Sequence, residues 1–396
     1  MLRYHTAGES HGEALVALIS GIPAGLAIDQ AFIDRELWRR QQGFGRGGRM
    51  RIERDQARIL SGVRHGKTIG SPISLLLENK DWKNWQEALP VEEGDPAKHK
   101  PVTSPRPGHA DLAGAIKYNL PEARYVLERA SARESAARVA LGAIAKLLLR
   151  ALKMDVLSHA IAVGAVALGD VEVTWKQLEE LASKDEVLLN CAHSEIEKLM
   201  KSEVDKALRT GDSVGGVFEV VAHNVPPGLG TYANWDERLD GMLAGAVMSL
   251  QAVKAVERGR GIHAASAFGS AVHDEIGYAA AAPSVPQKHT RFTRAHNNAG
   301  GLEGGVSNGE DIVVRGYLKP ISTLRRPLQS VDFKSREVVK AAYERSDVCV
   351  VPAAGVAAEA MVALTLARCV VEKFGGDSMT ELQRNFDGYC EQIRNF

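Results

Sequence analysis

Two long apolar stretches with helical composition constrain the fold of this chain more than any other feature. The stretch Val348–Val371 is interrupted by a proline, a glutamate and an arginine, which favours a buried helix over a membrane span. The stretch from Ser131 to about Arg150 is apolar on nearly every side until Lys146. Because a helix without a polar face must be covered on all sides, we expect both helices at the centre of one core.

Local patterns predict the ends of several other elements. The segment Asp29–Gln42 is predicted to be a helix with Asp29 as its N-cap and a glycine after its end. Ser131 and Glu134 have the spacing of a capping box, which would start the first central helix. The predicted strands near the N-terminus are Ala14–Ser20, Arg58–Val63 and Ser71–Glu78.

Three motifs occur in the same order in both halves of the chain. The run Ile22–Leu26 after the first strand corresponds to Val225–Leu229, and the run that starts at Gly62 corresponds to the one that starts at Gly301. An arginine and a serine precede each apolar helix. We predict a single domain, 1–396, in which two related halves (about 1–165 and 213–372) each supply a sheet and a buried helix, with a peripheral segment at about 170–212.

The charge and cysteine content exclude several classes of function. The chain has 49 basic and 49 acidic residues, so no overall charge attracts nucleic acid or a membrane surface. Its four cysteines are far apart and form no C-x-x-C pair, which is typical of a reduced, cytoplasmic protein without a zinc site. The N-terminus is charged and has no signal-peptide core. We therefore expect a cytoplasmic protein with no nucleic-acid partner, no membrane partner and no metal.

The segment Gly8–Gly12 places reactive side chains between two glycines, directly before the first strand. Ser10 offers a hydroxyl, His11 transfers protons near neutral pH, and Glu9 carries a carboxylate. By its local pattern alone, the segment is better explained as a polar turn at the start of a strand. It superficially resembles the nucleophile elbow of a hydrolase, but that elbow is followed by a helix, whereas here a strand follows.

An arginine-rich and glycine-rich segment, Gly43–Arg49, lies within the most basic part of the chain. Between Arg35 and Lys67 there are ten basic and three acidic residues, an excess of seven positive charges. A solvated basic face, a nucleic-acid surface and a pocket for a small polyanion all fit this pattern. Arg106 and Arg133 lie in similarly constrained turns, which favours the pocket, because arginine binds phosphate and carboxylate through two parallel hydrogen bonds.

Three shorter motifs are ambiguous by themselves. Lys319–Thr323 joins an ammonium group, a rigid proline and two hydroxyls, and fits either an ordinary loop or a phosphate-binding loop. Glu344–Asp347 fits a surface ion pair as well as a site. His109, in the turn Pro105–Asp111, could be a capped loop histidine.

Taken together, these segments resemble the chorismate synthase family over essentially the whole chain. Three of its signatures are matched in order: Gly8–Gly12 through Pro23, Arg129–Glu134 through Gly142, and Arg345–Val348 through Ala360. The resemblance implies an α+β fold, a layered β-α-β sandwich with a helical core between two antiparallel sheets. It also implies conversion of 5-enolpyruvylshikimate 3-phosphate to chorismate by anti-1,4-elimination of phosphate, a requirement for reduced FMN, and a homotetramer.

The resemblance also implies roles for individual residues of this sequence. His11 would protonate the leaving phosphate, His109 would stabilise the reduced flavin, and Asp347 would help flavin N5 take the C6 proton. The implied proton-relay residues are Ser10 and Ser131. The implied substrate-binding residues are Arg40, Arg46, Arg49, Arg106, Arg133 and Arg345. The implied flavin-binding residues are Arg129, Ala130, Ser131, Gln251, Ala252, Gly304, Lys319, Pro320, Ile321, Ser322, Thr323 and Arg345.

Further expectations concern the reductant and alternative functions. Arg40 and Arg46 match positions that bind NADPH in some members, and an external flavin reductase is a possible partner. A polyanion-binding or RNA-binding protein that uses Arg35–Lys67 is the alternative from another class. A conventional FMN oxidoreductase is a third hypothesis, and it predicts consumption of NADPH in step with product.

Overall fold

The computed structural model describes residues 1–47, 54–279, 289–344 and 347–396. It has an α+β fold in which two antiparallel sheets enclose a layer of helices, which confirms the predicted fold class. The helices are α1 (Gln30–Gln41), α2 (Asp111–Tyr118), α3 (Arg124–Ala130), α4 (Ser135–Ala151), α5 (Trp175–Ser183), α6 (Ser194–Thr210), α7 (Leu239–Met248), α8 (Val351–Phe374) and α9 (Met379–Arg394). The strands are β1 (Arg3–Ala7), β2 (Ala14–Ser20), β3 (Arg58–Ile59), β4 (Val63–Arg64), β5 (Lys67–Thr68), β6 (Ile73–Glu78), β7 (Asp155–Val163), β8 (Val166–Ala167), β9 (Gly216–His223), β10 (Val253–Arg258), β11 (Ile276–Tyr278), β12 (Phe292–Arg294), β13 (Leu302–Glu303), β14 (Val306–Ser307), β15 (Ile312–Leu318), β16 (Gln329–Val331) and β17 (Val338–Lys340).

The first sheet has the strand order β1-β2-β6-β3, and every neighbouring pair is antiparallel. Alternation along β2 determines which face is covered. Leu15, Ala17 and Ile19 are fully buried, whereas Val16 and Leu18 are 40% and 39% exposed. Since successive side chains of a strand point to opposite faces, a shift by one residue would expose the whole apolar set, so the register is strongly determined.

The second sheet has the order β10-β15-β9-β7-β8 and is also antiparallel. Its outer face carries a line of charged side chains across four strands. Glu219 of β9 accepts from Arg315 of β15 at 2.7 Å and lies 3.1 Å from His159 Nε2 of β7. Arg315 also donates to Glu257 of β10 at 3.1 Å. These cross-strand pairs reinforce the observed register.

Helices α4 and α8 form the layer between the sheets. Helix α4 packs against β2 and β6, α8 packs against β7 and β9, and the two helices contact each other. By length and composition α8 could cross a membrane, but 78% of its apolar window is buried inside the protein. It is therefore the buried central helix that the sequence predicts.

The two central helices are in close contact at Gly142 and Ala360. A Cβ atom on Gly142 would overlap with the Cβ of Ala360. Only a residue without a side chain allows this approach, and the contact explains a glycine in the middle of α4, where glycine costs about 1 kcal/mol relative to alanine.

A cluster of four charged side chains is buried within the helical layer. Two carboxylates, Glu36 of α1 and Glu359 of α8, alternate with two cations, Arg39 of α1 and Lys146 of α4. Arg39 donates to Glu359 at 2.7 Å and to Glu36 at 2.9 Å. Lys146 donates to Glu36 at 2.7 Å and to Glu359 at 2.8 Å, and Ser158 of β7 donates to Glu359 at 2.7 Å.

The protonation states in this buried charge cluster follow from its geometry. Burial by itself would raise the pKa of Glu36, but Arg39 and Lys146 outweigh burial and lower that pKa from 4.5 to about 2. The same carboxylates raise the pKa of Lys146 against the effect of burial. The contribution of Glu36 to stability is therefore complete at neutral pH and is lost as the pH falls from about 4.5 towards 2.

The two corresponding hairpins, β4–β5 and β13–β14, make the same hydrogen bonds to the loops that follow β2 and β9. Thr68 Oγ1 accepts from Leu26 N at 2.9 Å and donates to the carbonyl of Pro23 at 2.6 Å. Ser307 Oγ makes the same two bonds with Val225–Leu229, at 2.8 and 2.6 Å. These bonds support the proposal of two related halves, and the division of the chain at the predicted boundaries stays a prediction.

Two local predictions hold and one does not. Helix α1 begins after Asp29, whose side chain accepts from Phe32 N at 3.2 Å, and β2 has the predicted bounds. The segment Arg58–Val63 is not one strand, because Gly62 has a φ of +81° and turns the chain from β3 into the β4–β5 hairpin.

The predicted capping box at Ser131 is also wrong. Ser131 Oγ accepts from Arg133 N at 3.2 Å and starts a 3₁₀ turn, Ala132–Glu134, before α4 begins. The Glu134 carboxylate does not accept from Ser131 N, which donates to the carbonyl of Leu127, and it accepts from Thr6 and Arg138 instead.

Removal of one cation from the buried charge cluster is expected to destabilise the protein strongly. Lys146→Met leaves the carboxylates of Glu36 and Glu359 with one buried cation and should cost about 3–5 kcal/mol. The midpoint of urea unfolding measures the loss. Lys198→Met, which breaks an exposed pair with Glu195, is the matched control and should change stability by less than about 1 kcal/mol. Equal shifts in the two variants would contradict the assigned importance of the cluster.

Candidate active site

The first part of the candidate site surrounds His11 and is called the His11 corner: Ser10, His11, Trp85, Glu128 and Ser131. Glu128 Oε1 lies 2.8 Å from His11 Nδ1, and Oε2 accepts from His11 N at 2.7 Å. The Trp85 ring stacks on the imidazole at a centroid distance of 4.0 Å. Ser131 Oγ donates to Ser10 Oγ at 3.1 Å. The two serines and the histidine that the sequence predicts are thus brought together.

The Glu128 carboxylate is held ionised although it is buried. Burial by itself would raise its pKa, but hydrogen bonds from His11 and the charge of Arg124 lower it below its ordinary value. Arg124 in turn donates to Glu344 at 2.9 Å, so a chain of charges that ends at the partly exposed Glu344 connects α3 to the segment before Asp347.

The backbone of the His11 corner is fixed by a glycine and an asparagine. Gly8 has a φ of +100°, and a Cβ atom there would overlap with the carbonyl of Ala14. Asn79 Nδ2 donates to the carbonyls of Glu9 and Gly12 at 3.1 and 2.7 Å. Its Oδ1 accepts from Arg133 Nε at 2.9 Å, which joins the corner to the next group of residues.

Three arginines and two aspartates form the arginine pocket: Arg40, Arg46, Asp55, Arg133 and Asp347. Asp55 is fully buried and accepts from Arg133 at 2.6 and 2.7 Å. Arg40 donates to Ser135 and to the carbonyl of Ala132, both at 2.9 Å. Asp347 accepts from Gly47 N at 2.5 Å and pairs with Arg46 at 3.1 Å.

The arginine pocket has more positive than negative charge. Its three guanidinium groups face two carboxylates, which leaves one positive charge among the described residues. Arg40 Nη1 lies 3.5 Å from Asp55 Oδ2 and finds no hydrogen-bond acceptor within the described part of the chain. Burial, with the nearby charges of Arg133 and Arg46, lowers the pKa of Arg40 to about 10 despite Asp55. An added anion would supply the acceptor that Arg40 Nη1 lacks among these residues.

A second histidine lies in the turn before α2, in a group called the His109 cluster: Arg106, His109, Asp111, Lys319 and Ser322. Asp111 is fully buried and accepts from Arg106 Nε at 2.8 Å and lies 2.5 Å from His109 Nδ1. Burial by itself would raise the pKa of Asp111, but His109 and Arg106 lower it far below its ordinary range. Lys319 donates to Ser322 Oγ at 2.7 Å and to the carbonyl of Gly108 at 2.6 Å.

Hydrogen bonds hold several of the predicted flavin-binding residues in place. Arg129 donates to the carbonyls of Thr6 and Gly8, and Gln251 donates to Glu134 at 3.2 Å. Lys319 N donates to the carbonyl of Ala252 at 3.0 Å, and Arg106 donates to Thr323 at 3.0 Å. Ala130 ends α3 beside Ser131, and Ile321 accepts from Ser213 through its carbonyl.

One predicted residue is not joined to these groups by a described contact, and two cannot be placed relative to them. Gly304 lies at the tip of the β13–β14 hairpin, with a φ of +60°, and no described contact links it to Lys319. Arg49 and Arg345 lie outside the described residues.

Sequence reasoning missed the partners of the predicted groups rather than the groups themselves. Glu128, Asp55, Asn79 and Trp85 are far from their partners in sequence, with Glu128 separated from His11 by 117 residues. Only Asp111 carried a local signal, since it ends the turn that contains His109. In the part of the chain that the structure describes, no group of three or more metal-ligating side chains is found.

Comparisons with known proteins give a consistent result. The family model described as chorismate synthase matches residues 2–371. A chorismate synthase of Koribacter versatilis is 73% identical and one of Acidobacterium capsulatum is 70% identical, in each case over all of both chains. A solved structure entitled "Crystal Structure of Chorismate Synthase" is 39% identical, with a TM-score of 0.78, and covers 100% of this chain and 99% of the other.

The buried Arg40 Nη1, which has no acceptor among the described residues, predicts that phosphate stabilises the protein. At 100 times its dissociation constant a ligand stabilises the folded state by about 2.7 kcal/mol, which raises the melting temperature. Arg40→Met should weaken phosphate binding about 10- to 100-fold, since each charge-assisted hydrogen bond contributes about 1.5–3 kcal/mol. The melting temperature, measured against phosphate concentration, reports the change.

The control for this measurement is Arg35→Met. Arg35 lies on the same helix but pairs with the exposed Asp185 outside the pocket. Its variant should keep the phosphate-dependent shift of the unmodified protein. The same shift in Arg40→Met would show that Arg40 does not bind the anion.

Proposed function

Since the chain belongs to the chorismate synthase family of carbon–oxygen lyases, we propose that it converts 5-enolpyruvylshikimate 3-phosphate to chorismate by anti-1,4-elimination of phosphate. The observation that carries this proposal is the group of buried arginines in the arginine pocket, next to the His11 corner, in which Arg40 Nη1 has no acceptor among the described residues. The substrate has two carboxylates and a phosphate, and the phosphate alone carries about −1.5 to −2 charges near neutral pH. Such an anion can be desolvated only beside several cations.

The substrate-binding residues are assigned from this charge balance. Arg40, Arg46 and Arg133 supply guanidinium groups in the pocket, and Arg106 supplies one in the His109 cluster. Arg49 and Arg345 are assigned to the same role by resemblance alone. The burial of Arg40 and Arg133 supports a small-anion pocket over an extended RNA-binding surface, because phosphates of a polymer need accessible cations.

Proton handling is assigned to the residues that surround the pocket. His11 is proposed to protonate the phosphate as it leaves, and the hydroxyls of Ser10 and Ser131 offer a relay beside it. Asp347, fixed by Gly47 N and Arg46, is proposed to take part in removal of the C6 proton. We assign His109 to contacts with the reduced cofactor.

Reduced FMN is the cofactor that we propose. The donor set fits its phosphate, because Lys319, Ser322 and Thr323 offer an ammonium group and two hydroxyls. Burial, with the charges of Lys254 and Arg106, lowers the pKa of Lys319. An anion beside Lys319 would stabilise its ammonium form. When bound, the reduced flavin supplies electron density to the reaction. The remaining proposed flavin contacts are Arg129, Ala130, Ser131, Gln251, Ala252, Gly304, Pro320, Ile321 and Arg345.

The reductant, assembly and location of the protein are also proposals. NADPH would contact Arg40 and Arg46, or an external reductase would supply reduced FMN. A homotetramer in the cytoplasm is proposed from the family resemblance.

An anaerobic assay tests the proposed reaction. The protein, dithionite-reduced FMN and 5-enolpyruvylshikimate 3-phosphate are mixed, and release of phosphate and formation of chorismate are followed. We expect one phosphate for each chorismate without net oxidation of the flavin. Absence of phosphate release would refute the proposal, and stoichiometric consumption of NADPH would favour a conventional FMN oxidoreductase.

Removal of the His11 imidazole is expected to reduce turnover without loss of flavin. His11→Ala should lower kcat by about 10²–10⁴-fold, the range for a positioned acid–base group. Fluorescence titration with FMN should give an unchanged dissociation constant. His65→Ala, at the tip of the β4–β5 hairpin, is the control and should retain full turnover. If His11→Ala abolished flavin binding, the proton-transfer role would be wrong.

A further inference from the structure

Glu128 contacts both the backbone and the side chain of the segment that contains Ser10 and His11. One of its carboxylate oxygens accepts from the backbone of His11 and the other lies against the ring nitrogen of the same residue. Its own carbonyl accepts from Ser10 N at 3.0 Å. One residue of α3 thus fixes both the backbone and the side chain of the proposed proton donor.

We propose that Glu128 is a positioning residue for His11, which holds the imidazole proton on Nδ1 and so directs proton exchange with the substrate to Nε2. The proposal rests on the proposed proton-transfer role of His11. It assigns to Glu128 an effect on the reaction that is exerted entirely through His11.

The contacts leave the imidazole little freedom to rotate. Glu128 binds one edge of the ring, and Trp85 covers one face at a centroid distance of 4.0 Å and an interplanar angle of 27°. Rotation of the ring by 180° would remove Nδ1 from the carboxylate and leave Oε1 of a buried anion without its nearest donor. Because an unsatisfied buried charge is costly, the observed orientation is strongly preferred.

The tautomer follows from the acceptor. An ionised carboxylate has no proton to donate, so a 2.8 Å contact with Nδ1 requires the proton on Nδ1. In the neutral imidazole, Nε2 then carries the basic lone pair. When Nε2 gains a proton, the carboxylate stabilises the imidazolium, and when Nε2 gives the proton to the departing phosphate, the same hydrogen bond remains.

Three other charged side chains of the described residues lie near the Glu128–His11 pair. From α3, Arg124 Nη1 lies 3.5 Å from Glu128 Oε1. From the loop before α2, Lys100 lies 4.2 Å from the Trp85 ring, and Glu344 binds Arg124 from the segment after β17. Arg124 stays beside Glu128 whether His11 is neutral or protonated, so the carboxylate is not an isolated charge in either state.

The chain offers a matched control in Glu122. It is a buried glutamate, six residues before Glu128, and its Oε1 lies 3.1 Å from Nε2 of His99. It also accepts from Val102 N and Arg124 N, so it supports the same segment. No contact between Glu122 and His11 is found in the described part of the chain, and a purely structural effect on this segment should appear in the Glu122 variant as well.

A double-mutant cycle tests the proposal. Glu128→Gln keeps the size of the side chain but can donate to Nδ1 through its amide, which favours the wrong tautomer. We expect kcat for phosphate release to fall at least tenfold, with KM and FMN affinity within about twofold of the unmodified protein. In the His11→Ala background, Glu128→Gln should have less than about a twofold further effect. Glu122→Gln should keep kcat within about twofold.

Spectroscopy provides a second test that does not depend on turnover. In the unmodified protein labelled with ¹⁵N-histidine, the His11 signals, identified by their absence from His11→Ala, should show the proton on Nδ1. In Glu128→Gln the proton should move to Nε2.

Three results would overturn the inference. They are equal effects of Glu128→Gln with and without His11, an equal loss in Glu122→Gln, or a proton on Nε2 of His11 in the unmodified protein. If the unmodified protein released no phosphate, the proposed function would fail, and the ¹⁵N spectrum would still decide whether Glu128 sets the tautomer.

Discussion

The buried charge cluster is the constraint on which the rest of the structure depends. Its two carboxylates and two cations come from α1, α4 and α8, and Ser158 adds a hydroxyl from the second sheet. Charged groups this deeply buried are tolerated only in a geometry that satisfies all of them, so the cluster allows one arrangement of the three helices. On α1, Arg39 enters the cluster while its neighbour Arg40 enters the arginine pocket. The position of a proposed substrate-binding side chain is thereby tied to the core.

The sequence predicted the parts of the molecule whose signals are local. The central helices, the N-cap of α1 and the bounds of β2 follow from periodicity and capping, and the structure confirms them. The cationic and histidine groups of the candidate site followed from their motifs. Their partners did not, since a buried carboxylate such as Asp55 or Glu128 is distinguished from a surface one only by residues far away in the chain.

Two misinterpretations have the same physical origin. Lys146 was expected to mark the end of the apolar part of α4, yet it is fully buried because Glu36 and Glu359 meet it. Glu134 was expected to cap its own helix, but Thr6 and Arg138 offer its carboxylate better donors. In both cases a residue far away in the chain competes with the local preference: Glu36 and Glu359 for Lys146, and Thr6 for Glu134.

The contact between Gly142 and Ala360 determines the thickness of the helical layer. Because the backbones of α4 and α8 touch there, the distance between the two sheets is fixed by two small residues rather than by large side chains that can repack. The N-terminal end of α4 follows directly after Arg133, and that of α8 follows shortly after Asp347. A larger residue at position 142 would push α4 and α8 apart and so separate the residues of the arginine pocket. The spacing of the charges in that pocket therefore depends on the absence of a side chain at Gly142.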